Sequence, residues 1–159
     1  MPGFAGHNLA NAVLGRWQMG VLGVFQSGQT FTVYDSVNQS NAFIAGAMRP
    51  NLIGDPTSGA QSLGQWFNTA AFQSAPAFTV GGSPRSLLRG PSWNTLDLTL
   101  SKNFKVTERV STELRSEFFN VLNHPNFDIP GHTQGNPDFG VISSAEPART
   151  VQIALRILF

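Results

Sequence analysis

Cysteine is absent from the 159 residues. That excludes disulfide staples and thiolate metal sites. Charge is scarce as well: Asp, Glu, Lys and Arg together make up 12%, against the roughly 25% usual in soluble domains. The net charge of +1 provides no basic field for a nucleic-acid partner. No apolar run approaches the ~20 residues of a membrane helix, and the Ala/Glu/Lys/Leu richness of a helical protein is missing. The start, Met1-Pro-Gly-Phe-Ala-Gly-His7, has neither the basic nor the apolar region of a signal peptide.

What remains is apolar and turn-rich. Hydrophobic residues reach 41%, with 13 Phe and 16 Gly, which is no disordered composition. Aromatics mixed with Gly, Asn and Ser point to strands joined by elaborate loops.

The end of the chain carries the clearest pattern. Val151, Ile153, Leu155, Ile157 and Phe159 share one parity, and Thr150, Gln152, Ala154 and Arg156 the other. Side chains alternate across a strand, so one face is an apolar ladder and the other is mostly polar or small. A strand of this kind closes outer-membrane barrels, with lipid on one side and the lumen on the other.

Three further segments alternate well enough to predict strands. The four expected strands cover about 16–26, 95–103, 110–120 and 149–159. Leu96, Leu98 and Leu100 alternate with Asp97, Thr99 and Ser101. Leu114 and Phe118 oppose Glu113, Arg115 and Glu117. A short turn, 104–109, joins the second strand to the third, whereas loops of about 27–92 and 121–147 separate the others. Short turns on one side and long loops on the other are the asymmetry of a membrane barrel, whose long loops lie outside the cell. Trp66, Phe67, Phe72 and Phe78 suggest that the first loop is packed.

The expected fold is therefore all-β: an antiparallel meander over residues 1–159, forming part of a transmembrane barrel with long extracellular loops. Its lumen face would carry Asp97, Glu113, Arg115, Glu117, Gln152 and Arg156, with Glu113, Arg115 and Glu117 in salt-bridge ladders to neighbouring strands. Trp17, Phe118, Phe119 and Phe159 fit interfacial girdles better than a ligand platform. A barrel protein must be exported, so the chain is expected to be the C-terminal piece of a longer protein, with Met1 an internal or predicted start. Four strands cannot close a large barrel, and open edges are costly in lipid, so the piece is not expected to insert stably alone.

Catalytic and metal chemistry find little support. His7, His124 and His132, with Asp128 and Asp138, match no ligand spacing. Asp35, Asp55 and Asp138 sit among Asn and Gly and read as turn residues, not as a calcium loop. Ser83, Ser86 and Ser92 lack a nucleophile elbow. No enzyme, cofactor or metal is expected.

Several phrases, taken in order, resemble the C-terminal barrel of TonB-dependent outer-membrane receptors, most closely the Oar-like group with a carboxypeptidase-regulatory-like N-terminal domain. They are Gly15-Arg-Trp17, Gln26-Ser-Gly28 with Phe31-Thr32, Arg49-Pro-Asn-Leu52, Gly54-Asp-Pro56, Trp66-Phe-Asn68 and Ala71-Phe72. They continue with Leu88-Arg-Gly-Pro91, Asn94, Asp97-Leu98, Lys102-Asn-Phe104, Glu117 through His124, Asn126-Phe127, Phe139-Gly140 and Phe159. The resemblance implies a plugged barrel of about 22 strands, in the outer membrane, importing a scarce substrate with energy delivered through TonB. It implies three partners: outer-membrane lipid, the barrel-assembly machinery, and TonB through an N-terminal part not present here. It also implies that Val151, Ile153, Leu155, Ile157 and Phe159 are the signal read by the assembly machinery. Two other readings stay open. One is a soluble β-sandwich module binding a glycan, which would bury its apolar ladder between sheets. The other is a passive porin or adhesin barrel.

Overall fold

The computed structural model describes residues 14–41, 48–59 and 61–159; His7 lies outside them. Among the described residues the named elements are strands apart from a short 3-10 turn at Thr69–Ala71. Ten strands follow in order: β1 Trp17–Gln26, β2 Thr30–Phe31, β3 Tyr34–Asp35, β4 Asn51–Leu52, β5 Phe72–Gln73, β6 Leu88–Arg89, β7 Trp93–Lys105, β8 Ser111–Phe119, β9 Thr133–Gln134 and β10 Thr150–Leu158. The described residues divide between two compact units, 14–25, 94–125 and 147–159 in one, and 26–41, 48–59, 61–93 and 126–146 in the other.

The first unit is built on a single sheet in the order β1-β7-β8-β10. β7 pairs antiparallel with β8, and β8 with β10. The β7–β8 connection is tight because Thr107 closes it. The Val106 and Thr107 amides both donate to the Val110 carbonyl, while the Thr107 hydroxyl accepts from the Arg109 and Val110 amides. β7 begins before and ends after the expected 95–103, reaching Lys105, so the turn starts at Val106. At the other end of the β7–β8 pair, Asn120 turns at φ 52°. Its amide donates to Asp97 Oδ1 at 2.8 Å, and its side chain exchanges two hydrogen bonds with the His124 backbone.

The second unit gathers most of what the sequence presents as loops. Its strands are only two residues long: β2 pairs with β6 and β4 with β5, both antiparallel, and β3 with β9 in parallel. What holds them is a core of their own. Phe31, Val33, Phe67, Ala71, Phe72 and Leu88 are buried together, with Trp66, Leu87 and Phe139 packed against them. Phe67 meets three rings, with centroids 5.8 Å from Phe31, 5.8 Å from Phe72 and 5.2 Å from Phe139. Tilted and edge-on pairs at such distances are the favoured aromatic geometry. Residues 126–146 belong to the same body: the Trp66 amide donates to Gly140, and the Ile142 amide to Leu63. Pro50 and Pro130 are fully buried, at positions where a missing N–H leaves no unsatisfied donor.

The two faces of the four-stranded sheet as the candidate functional site

The registers assign β7, β8 and β10 to the same two faces. Leu98, Phe118 and Val151 lie side by side, as do Leu100, Ser116 and Ile153. Two residues further on, Lys102, Leu114 and Leu155 align, and then Phe104, Thr112 and Ile157. Trp17 of β1 joins this face through Lys102, and Gly23 through Leu96. The face is apolar apart from Lys102 and the hydroxyls of Thr112 and Ser116, and much of it is open: Ile153 is 70% exposed and Leu155 65%. Phe159 follows the strand and is fully exposed. All five residues of the terminal ladder thus stand uncovered.

The opposite face is polar at its centre. Thr99, Glu117 and Gln152 align across β7, β8 and β10, then Ser101, Arg115 and Ala154, then Asn103, Glu113 and Arg156. Asp97 shares this parity and is tied to the Asn120 amide. All six residues expected on the lumen side therefore sit on one face.

One detail of the sequence reading needs correction. Among the described residues the ion pairs run along β8 and not between strands, although Arg156 stands opposite Glu113: Arg115 lies 3.2 Å from Glu113 and 3.7 Å from Glu117. The reason is the partner strand. Ala154 stands opposite Arg115 and offers no carboxylate, so the guanidinium reaches its own neighbours two residues away on the same face. Ala154 also leaves a notch of about 160 Å³ beside Glu113, Arg115 and Arg156. Half-exposed pairs of this kind contribute ~0–1 kcal/mol. Their role is to keep a charged, wettable surface.

The aromatic residues divide. Phe118 belongs to the apolar face and Phe119 to the polar one, by parity. Lys102 is the residue that sequence reasoning missed. Its ammonium lies 4.9 Å from the Trp17 ring centroid and 5.0 Å from that of Phe104, which stabilises a cation on an otherwise apolar face. The parity of Leu96, Leu98 and Leu100, continued by two residues, leads to it.

The remaining candidates have local roles. His132 packs against Phe31 and Tyr34, with Nδ1 3.3 Å from the Pro130 carbonyl. Asp35 caps the Val37 amide. Asp55 accepts from the Thr57 hydroxyl and amide, which together hold its carboxyl below the ordinary carboxylate range, the hydroxyl contributing most. Ser83 is fully buried, and its carbonyl receives Arg49 Nη1 at 2.6 Å. Among the described residues no three His, Asp or Glu side chains gather into a metal site.

The family profile for the outer membrane beta barrel domain matches residues 1–152. No curated protein and no solved structure matches the chain. An all-β chain whose main sheet is apolar on one side and polar on the other is what such a domain requires. The chain belongs to the outer-membrane β-barrel domain family, a structural and transport group of the outer membrane that is not generally catalytic.

Proposed function

We propose that this chain forms the C-terminal wall of a TonB-dependent receptor barrel of the Oar-like group, importing a scarce substrate. The observation that carries the reading is the apolar face of the four-stranded sheet, open along β1 and β10 and partly buried along β7 and β8. In this reading the face meets hydrocarbon, and the centre of the opposite face lines the lumen with Thr99, Glu113, Arg115, Glu117, Gln152 and Arg156. Asp97 stands near the end of that lumen surface. The second unit is built from the long loops, which in this reading are extracellular, in keeping with the barrel asymmetry of short inner turns and long outer loops. Phe159 and the ladder before it engage the barrel-assembly machinery.

Support for the finer assignment comes from where the family-like phrases fall. Arg49-Pro-Asn-Leu52 enters β4, Ala71-Phe72 enters β5, and Leu52 pairs with Phe72. Asn68 receives no random neighbour: its amide donates to the Pro56 carbonyl and its side chain to the Asp55 carbonyl. Trp66 Nε1 donates to the Arg89 carbonyl of the Leu88-Arg-Gly-Pro91 phrase. Those phrases that fall in the loop unit thus make contacts that hold that unit together.

The test uses the absence of cysteine from this chain, with any cysteine elsewhere in the full-length protein replaced by serine. Single variants of the full-length protein are placed in outer membranes and treated with a membrane-impermeant maleimide. Gln152→Cys and Ala154→Cys are expected to react, and Ile153→Cys and Leu155→Cys to resist. The reverse parity, or uniform labelling, would overturn the lipid-facing assignment. Deleting TonB is expected to abolish uptake; uptake that persists would make the barrel passive.

A further inference from the structure

The loop unit contains a cleft of about 240 Å³ whose walls come from three separate segments, 26–29, 91–93 and 127–129. Backbone contacts fix these walls. The Gly90 amide donates to the Gln29 carbonyl at 2.8 Å. A Cβ on Gly28 would fall 1.8 Å from the Gly90 carbonyl oxygen, so only glycine lets the two segments touch. Arg89 donates to the Ser27 hydroxyl and the Gly28 carbonyl, holding the first wall from outside the cleft. On the third wall, the Ser144 hydroxyl donates to Asp128 Oδ2 at 2.6 Å and the Asp128 amide returns a bond to the Ser144 carbonyl. The carboxylate is therefore oriented before any ligand arrives.

The lining has two characters. Trp93, Phe127 and Ile129 supply apolar surface, while Gln26, Ser27, Gln29 and Asp128 supply amide, hydroxyl and carboxylate groups. Asp128 is the one ionisable group among the lining residues, and its carboxylate disfavours phosphates and carboxylates beside it, while the Arg89 guanidinium is occupied by Ser27 and Gly28. An organic ammonium needs aromatic faces converging on one point, whereas amide and hydroxyl groups here outnumber the rings. Gln side chains both donate and accept, and the Ser hydroxyl does the same. That mixture suits a ligand with hydroxyls around its edge and C–H groups on its face. The volume is below the roughly 300–1,000 Å³ of drug-sized pockets, which limits the occupant to about one ring.

We propose that this cleft is a binding subsite for a neutral sugar ring, stacked on Trp93 and hydrogen-bonded by Gln29 and Asp128. The assignment concerns the loop unit and not energy coupling. Binding is read without transport, so a passive barrel would leave it standing.

The experiment titrates the full-length protein, in a detergent free of sugar and choline groups, with methyl glycosides of glucose, galactose, mannose and N-acetylglucosamine. Choline chloride and sodium gluconate serve as charged probes, and tryptophan fluorescence is the readout. At least one glycoside is expected to saturate. Its affinity should fall roughly tenfold in Asp128→Ala and in Gln29→Ala, the change that about 1.4 kcal/mol produces, and stay within about threefold in Asp128→Asn, which keeps an acceptor. Trp93→Leu should remove the spectral response and the binding seen by saturation-transfer NMR. Failure of every glycoside to saturate would overturn the proposal, as would tighter binding of choline or gluconate. Unchanged affinity in Asp128→Ala and Gln29→Ala, with wild-type circular dichroism, would overturn it too.

Discussion

Phe67 is the residue on which the loop unit depends most heavily. It is 5% exposed and touches the rings of Phe31, Phe72 and Phe139, which come from three distant parts of the chain. Phe67→Ala removes the hub of this cluster. A buried Phe→Ala change costs ~3–5 kcal/mol through lost transfer energy and the cavity left behind. Phe31, Phe72 and Phe139 are held by separate segments and cannot all collapse inward, so a cost of about 4 kcal/mol is expected. Whole domains are stable by only ~5–15 kcal/mol. The loop unit should therefore open far more often without the rest of the chain unfolding.

Hydrogen exchange on the full-length protein reads this directly. The amides of Ile53, Trp66 and Ile142 donate across the unit to Ala71, Gly140 and Leu63. Their exchange through opening should accelerate about a thousandfold, the factor equivalent to ~4 kcal/mol. The amides of Leu100 and Leu114, in the four-stranded sheet, serve as the reference. Phe78→Ala is the control: its ring is 78% exposed and its backbone sits at φ 64°, so little stability is lost. Unchanged protection at Ile53, Trp66 and Ile142 in Phe67→Ala would refute the claim that one aromatic core organises both long loops.

Three further outcomes are expected. Phe159→Asp in the full-length protein should abolish assembly into the outer membrane, read by membrane fractionation and heat-modifiable gel mobility; normal assembly would refute the terminal ladder as an assembly signal. Gly81→Ala should lower the melting temperature of the loop unit, because the added Cβ would lie 1.7 Å from the Arg49 carbonyl oxygen and backbone must move. The Asp55 carboxyl titrates lower in the fold than in the unfolded chain, so its stabilising effect is complete above the ordinary carboxylate range and is lost as pH falls through the lowered value. Thr57→Val should weaken that acid dependence in thermal melts between neutral and strongly acidic pH; an identical pH profile would show that the Thr57 hydroxyl is not its cause.

The sequence displays its long strands unevenly, and the reason is physical. β7 and β10 alternate Leu, Ile or Val with polar residues, because one face of each is apolar and the other polar. β1 is harder to read, since Gly20 and Gly23 interrupt it and Leu22 and Val24 put apolar groups on the polar parity. The loop unit is nearly invisible to periodicity. A pair such as β2 with β6 is two residues long, and alternation needs several residues before it has a period. β3 with β9 is parallel and joins Tyr34 to Thr133, a contact no local pattern encodes. What did show was the cluster of aromatics among turn residues: Phe67 and Phe72 lie in the core and Trp66 packs against it, whereas Phe78 is exposed. Lys102 and the in-strand ion pairs of Arg115 depend on which residue stands opposite, which only register reveals.

The same sheet leaves two demands open. Four apolar residues of β10 stand between 49% and 70% exposed. Fully burying such side chains contributes ~1.5–3 kcal/mol each, so one strand's unburied face amounts to a sum comparable with the ~5–15 kcal/mol stability of a domain. At the same time β1 and β10 are the edges of the sheet, and an edge presents a row of N–H and C=O groups to whatever adjoins it. Packing a second sheet against the face, as in a sandwich, would satisfy the first demand and leave the second. In the proposed reading, lipid on the face and further strands at both edges satisfy the two together, so that reading accords with both the family membership and the distribution of oily and polar residues in this sheet.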